Sequence, residues 1–228
     1  MVMTSQAPSA AELAQREAGV PEGKSELRRR AILDVARDIF LAQGFAATSM
    51  SEIAARLGGS KGTLYNYFRS KEELFAAIMI DTCQGPANAV FDHLPAVDGD
   101  LRGGLETLGM GLMGFILSGA SLAVHRVVVA ETDRFPQLGR VFYDTGPLRG
   151  QERLQVYFQQ LIDTGQLRPR DPAMLARRFK DLILSDIHSR RLWGVLTEMT
   201  PEELRAHVTE SVDIFLAAFG TAQDQAKA

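Results

Sequence analysis

Apolar side chains recur at helical spacing along most of this chain. Between Ser25 and Gly44 the positions Ile32, Leu33, Ala36, Ile39 and Phe40 share one face of a 3.6-residue period. Ser25 is a capping residue type, Gly44 a stop signal, and Arg28 to Arg30 are left on the outside. A second short stripe, Met50, Ile53, Ala54 and Leu57, follows Thr48, which reads as its cap, and is stopped by Gly58 and Gly59. Ser60 opens a third short helix over 61–68, with Leu64 and Phe68 pointing inward. Ser70 opens a fourth at Lys71.

Beyond that point the pattern stays helical, with no alternating run convincing enough for a sheet. The expected helices are 71–92, 101–118, 121–132, 136–144, 148–163, 172–194 and 201–219. Asp171-Pro172 and Thr200-Pro201 each put a cap before a proline at the first helical position, which makes those two starts the clearest. The fold class expected is therefore all-α: an N-terminal three-helix head carrying a helix-turn-helix, followed by a larger helical body. Residues 1–24, small and polar with two prolines, read as a mobile arm, 25–71 as the head and 72–228 as the body.

Composition narrows this picture. The chain has 46% hydrophobic and 23% charged residues, as a soluble globular protein has. A lone Cys83 allows neither an internal disulfide nor a thiolate metal cluster. The first 19 residues lack the basic start and apolar run of a secretory signal, and glycines with His125 and Arg126 interrupt the apolar region 103–130, so no membrane segment is expected and the cytoplasm is the expected location. Charge is uneven. From Lys24 to Lys71 nine basic face four acidic side chains, a net of +5, which leaves −8 of the overall −3 on the rest. A basic head on an acidic body suits a protein in which only the head meets phosphates.

Two short helices joined by a tight glycine-containing turn can place the second helix in a DNA major groove. The stretch from Thr48 to Phe75 has this form, and Ser60 to Leu74 (SKGTLYNYFRSKEEL) follows a specific pattern: Ser-Lys-Gly-Thr-Leu-Tyr, an aromatic pair ending in Phe, then Ser-Lys-Glu-Glu-Leu. This strongly resembles the N-terminal domain of TetR-family transcription regulators over residues 28–75. It departs at Gly59, where the family usually carries a small apolar residue such as valine or alanine. The resemblance implies that Lys61, Thr63, Tyr65, Asn66 and Tyr67 correspond to DNA-contacting positions, with Lys71 and Thr48 as clamps on the backbone.

The residues support this independently. A helix entering a groove needs free N–H groups, short side chains near the bases and no bulk where backbones meet, which Ser60, Lys61, Gly62 and Thr63 provide. Tyr65 and Tyr67 carry hydroxyls within reach of phosphates or base edges, Asn66 can pair with adenine, and Lys71 lies where a phosphate would pass. Tyr65 also fits a core position, Thr48 and Ser60 also fit as helix caps, and Arg28 to Arg30 fit a solvated face as well as a phosphate patch.

By the same resemblance the body binds a small-molecule effector and forms a homodimer through its last two long helices. Ala206, Val208, Val212, Phe215, Leu216 and Phe219, with Phe179, Leu182, Ile183 and Ile187, supply faces for a four-helix interface or for internal burial. The segment His125–Pro147 resembles the C-terminal domain of the AefR-like branch, in Glu-x-x-Arg-Phe-Pro and Phe-Tyr-x-x-Gly-Pro. Glu131 and Arg134 there form either a structural pair or part of a ligand gate. Met110, Met113, Phe115, His125, Tyr143 and Trp193 are the candidates for an effector pocket, with core the alternative for each. Glycines 109, 111, 114 and 119 allow either close helix approach or space for a guest.

The four histidines are scattered outside any metal-binding spacing, and no nucleophile elbow or phosphate-cradling loop occurs. His188 fits a surface or interface position better than a lone base. Neither catalytic residues, nor a metal, nor a cofactor is expected. The reading is a regulator, in the first instance a repressor, of double-stranded operator DNA, released by a small molecule.

Overall fold

The computed structural model describes residues 22–221 apart from Pro95 and Asp98; the arm expected over 1–24 falls outside the described residues up to position 21. Among the described residues the chain is all-α. The helices are α1 (Glu22–Ala47), α2 (Met50–Arg56), α3 (Lys61–Tyr67), α4 (Lys71–Asp92), α5 (Leu101–Ile116), α6 (Gly119–Glu131), α7 (Pro136–Thr145), α8 (Pro147–Asp163), α9 (Pro172–Leu184), α10 (Ile187–Leu192) and α11 (Pro201–Phe219).

Local signals account for most of these boundaries. Thr200 and Glu203 form a complete capping box at α11, the Asp171 carboxylate accepts from the Ala173 amide at α9, and Ser70 accepts from the Glu73 amide at α4. Two helices depart from expectation, at the start of α1 and within 172–194, whereas the stop expected at Gly44 is present as a break in α1. Helix α1 begins at Glu22 and runs through Ser25 without a cap there. Its helical path breaks at Gly44 (φ 81°, ψ 171°), a left-handed conformation suited to glycine. The helix expected over 172–194 is two helices, because Ser185 adopts φ 42°. The carbonyls that this break leaves are taken by α11: His207 Nε2 lies 2.8 Å from the Ile183 oxygen, and the Ser211 hydroxyl donates to Leu182 at 3.2 Å.

The chain divides into two compact units, one of Met1–Thr82 with Ala123–Gly146, the other of Cys83–Leu122 with Pro147–Ala228. This differs from a single cut after Lys71. Leu74, Phe75, Ile78 and Met79 of α4, with Val124, Val128 and Leu138, bury in the same core as α1 to α3. The first boundary falls inside α4, where Pro86 cannot donate the hydrogen bond that the Thr82 carbonyl would accept.

The first unit is centred on Phe40, Phe45 and Phe75, whose ring centroids lie 5.1–5.6 Å apart. In the second, Phe158, Phe179 and Phe215 meet at 5.2–5.5 Å. Pairs of this kind contribute about 0.5–1.5 kcal/mol each beyond burial. Most of the apolar stripe of α9 to α11 serves this core: Phe179, Ile183, Ile187, Val208, Val212, Phe215 and Leu216 are buried within the unit, whereas Leu182 and Phe219 are half-buried and Ala206 is exposed.

The glycines of α5 also divide by role. A Cβ at Gly109 would lie 2.8 Å from both Ile183 Cδ1 and Val208 Cγ1, so Gly109 is a point of close helix approach. At Gly114 a Cβ would meet nothing within 4 Å. Gly109→Ala should therefore destabilise by about 1–3 kcal/mol through overpacking. Gly114→Ala should be neutral or stabilise by up to about 1 kcal/mol. Urea unfolding of the two variants checks this, and an equal effect of both would contradict the packing described.

Candidate nucleic-acid interface

Helix α2 is capped by Ser49, whose hydroxyl accepts from the Glu52 amide at 3.2 Å. Thr48, expected as cap and phosphate clamp, is corrected on the first point and differently employed on the second. It is 2% exposed and donates its hydroxyl to the Gly44 carbonyl at 2.8 Å, because the chain break at Gly44 leaves that oxygen without a helical partner. The Ser-x-x-Glu pattern from Ser49 to Glu52 was the sequence signal that separates the two residues.

The α2 C-terminus closes in a Schellman arrangement: the Gly59 amide donates to Ala54 O (3.2 Å) and the Gly58 amide to Ala55 O (3.1 Å), with Gly58 at φ 63°. Ser60 then caps α3, accepting from the Thr63 amide at 3.1 Å, and the two hydroxyls share a 3.0 Å hydrogen bond. Leu64 and Phe68, both 2% exposed, hold α3 to the core. Lys61, Gly62 and Asn66 are exposed, Tyr65 is 47% exposed, and Thr63 and Tyr67 are half-buried. Lys61, Gly62, Tyr65 and Asn66 are thus brought together on the exposed side of α3, whereas Tyr67 packs against the core of the first unit; Tyr65 is a surface residue, not core.

Lys71 is placed otherwise than expected. Its ammonium donates to the carbonyls of Phe45 (2.7 Å), Thr48 (3.0 Å) and Ala46 (3.4 Å) and sits 4.3 Å from the Phe45 ring centroid. All three of its hydrogens are spent within the head, holding the frayed end of α1, so a clamp on DNA would require it to leave them. Burial pushes its pKa below the ordinary lysine value, against the raising influence of Glu72 and Glu131.

From the α6–α7 corner, Glu131 Oε1 accepts the Ala46 amide at 2.9 Å, and the Phe135 ring packs on Phe45 at 4.9 Å. Glu131 therefore spends a carboxylate oxygen on the head, and Arg134 lies over Phe135 at 5.3 Å. Sequence reasoning saw this motif and missed its target, since nothing local links positions 131 and 46.

The three basic residues at the start of α1 have separate fates. Arg30 pairs with Asp81 at 3.0 Å, and Arg37 joins Asp34 and Asp81 at 2.7 and 3.2 Å. Arg29 stacks over Phe68 at 5.6 Å. Arg28 extends to the α2–α3 turn.

Of the effector candidates, Met113 is fully buried in the core of the second unit, and Met110 and Phe115 are half-buried on the same helix. Trp193 is 76% exposed at the end of α10. His125 is half-buried with its ring 5.3 Å from Phe142, and Tyr143 on α7 is 50% exposed; both belong to the first unit. An open depression along α11, lined by Glu202, Arg205, Ala206, Thr209, Glu210 and Asp213, involves none of the six.

Residues 32–78 match the family profile for bacterial regulatory proteins of the tetR family, and residues 103–221 that for the C-terminal domain of AefR-like transcriptional repressors. A solved structure of a TetR-family transcriptional regulator from Mesorhizobium loti is 30% identical with a TM-score of 0.78, over 88% of this chain and 100% of that one. The flavonoid-responsive regulator FrrA is 28% identical with a TM-score of 0.78, over 86% and 99%. Among curated relatives, the transcriptional activator FasR of Mycolicibacterium smegmatis is 44% identical over 52 residues, 23% of this chain and 24% of that protein. The match to FasR thus spans about a quarter of its length and is confined to one segment.

Lys71→Met keeps an apolar stem but leaves the three carbonyls unpaired. It should destabilise the head by about 1–3 kcal/mol, read as a lower urea midpoint. Burial pushes the His125 imidazole below its ordinary pKa. The unfolded chain therefore takes up this proton first, so stability present above about pH 6.5 falls on acidification toward the folded-state value. Thermal midpoints at pH 7.5 and 5.5 should differ less in His125→Gln than in the wild type.

Proposed function

The chain belongs to the TetR family of bacterial transcriptional regulators, with an AefR-like C-terminal domain, and on that premise we propose that it is a cytoplasmic homodimeric repressor released from its operator by a small-molecule effector. The observation that carries DNA recognition is the outward face of α3. Lys61, Tyr65 and Asn66 project from a capped helix whose start is cleared by Gly62, and the surrounding segment carries a net charge of +5. Lys61 and Asn66 have the donors to read base edges, and the hydroxyls of Ser60, Thr63, Tyr65 and Tyr67 can meet phosphates.

Repression is supported over activation by where the similarities fall. The AefR-like repressor profile spans the body, where a response would be set, whereas the likeness to the activator FasR covers 52 residues. For the homodimer, the inner stripe of α11 is consumed by its own core, so the proposed contact is the outward stripe through Ala206, Glu210, Ile214 and Ala218, spaced by four residues on exposed positions. Dimerisation would set two recognition helices about 34 Å apart, the spacing of half-sites on one DNA face.

For the effector, Met110 and Phe115 combine apolar character with partial burial on α5, which suits contact with an apolar guest. The flavonoid response of FrrA supports planar aromatic compounds as the first class to test. An effector that binds the DNA-free form better lowers operator affinity by its differential affinity for the two states.

Fluorescence-anisotropy titration with the duplex immediately upstream of the chain's own gene, against scrambled duplex at two salt concentrations, tests this reading. Preferential, salt-dependent binding is expected, reduced by about 1–3 kcal/mol in Lys61→Ala. A flavonoid panel should contain a compound that weakens binding. Equal affinity for both duplexes, unaffected by Lys61→Ala, would refute it.

A further inference from the structure

Two adjacent glycines form the α2–α3 turn, and only the first is demanded by the backbone. Gly58 has φ 63°, a conformation that side-chain-bearing residues rarely adopt, and a Cβ there would meet nothing within 4 Å. Gly59 has no left-handed φ. What a side chain at Gly59 would meet is the guanidinium of Arg28: an added Cβ would stand 2.9 Å from its Nη2, with no other atom within 4 Å beyond the excluded neighbours. The space at position 59 is occupied by a side chain from α1.

That side chain differs from the other arginines of α1. Arg30 and Arg37 are neutralised by Asp81, and Arg29 lies over Phe68. Arg28 forms no ion pair with a described carboxylate. It is held half-buried in a small recess with Gly59, Ser60, Thr63 and Leu64, beside the first turn of α3. Holding an uncompensated guanidinium still costs rotamer freedom and gains nothing there from an internal counter-charge. A phosphate passing the start of α3 supplies that counter-charge, and the planar fork of arginine suits it.

We propose that Arg28 is a DNA-contacting residue that binds a backbone phosphate next to the recognition helix, and that Gly59 is the residue that makes room for it. The turn, which departs from the family pattern at Gly59, is a seat. A larger residue at 59 pushes the guanidinium off the turn without straining the fold, because the displaced atoms are the far end of a flexible side chain. The proposal rests on the reading of α3 as the DNA-binding helix.

A double-mutant cycle tests it. Wild type, Arg28→Ala, Gly59→Ala and the double variant are titrated by fluorescence anisotropy with the upstream duplex and a scrambled duplex of equal length, across a series of salt concentrations. Thermal unfolding of each variant is measured alongside. Arg28→Ala should weaken binding roughly tenfold on both duplexes and lower the slope of log affinity against log salt by about 0.9, the signature of one lost phosphate contact. Gly59→Ala should reproduce most of that loss with an unchanged unfolding midpoint, and the double variant should match Arg28→Ala alone, since the two changes remove the same contact. Arg28→Gln, which keeps the bulk without the charge, should lose the same slope. If the wild type shows no salt-dependent binding, the DNA-binding reading itself fails. If the wild type binds and Arg28→Ala leaves its slope unchanged, or if the two losses add, Arg28 is no phosphate contact and the proposal is overturned.

Discussion

The head depends on how one lysine ammonium is spent. Helix α1 breaks at Gly44, which leaves the last carbonyls of the helix without amide partners and with the negative end of its dipole. Lys71 places its charge there, against the oxygens of Phe45, Ala46 and Thr48 and over the Phe45 ring. Burial of that charge is unfavourable, as the lowered pKa records, and three charge-assisted hydrogen bonds offset it. The Ala46 amide is taken by Glu131 in the same place. The path of the chain from α1 into α2 is thereby fixed, and through the Schellman turn so is the start of α3.

This arrangement explains why similar side chains differ in their surroundings. Lys61 and Lys71 both stand near the start of a helix and both read as DNA contacts in a linear pattern. Lys61 has no nearby break to repair and faces outward, whereas Lys71 opens a helix that packs beside one. Thr48 and Ser49 divide in the same way, one closing the break and the other capping α2. The arginines of α1 separate by what faces each: Asp81 neutralises Arg30 and Arg37, Phe68 stacks with Arg29, and Arg28 at the glycine turn keeps its charge.

The second unit solves a different packing problem. Its aromatic core consumes the apolar stripes of α9 and α11, which a linear reading assigns equally well to an interface. The close approach at Gly109 brings α5 against both, and His207 and Ser211 bridge the break at Ser185. A helix interrupted there would leave two carbonyls unpaired, so His207 and Ser211 on the inner side of α11 have a structural reason.

The all-α class, the position of most helices, and the outward side of α3 with Lys61 and Asn66 were legible in the sequence alone. These rest on interactions within a few residues: the caps at Ser60, Asp171 and Thr200, the αL glycine at Gly58, and the 3.6-residue stripe that buries Leu64 and Phe68 and so turns Lys61 and Asn66 outward. The tertiary structure alone decided which basic residues of the head are held by internal partners, which unit takes most of α6 and α7, what Glu131 binds, and which face of α11 is left exposed. Each of those depends on a partner far along the chain, Ala46 for Glu131 and Phe45 for Lys71, and a hydrogen bond or ion pair of that kind leaves no periodicity in the sequence. Pattern locates the element, but the partner across the core decides what its polar side chains do.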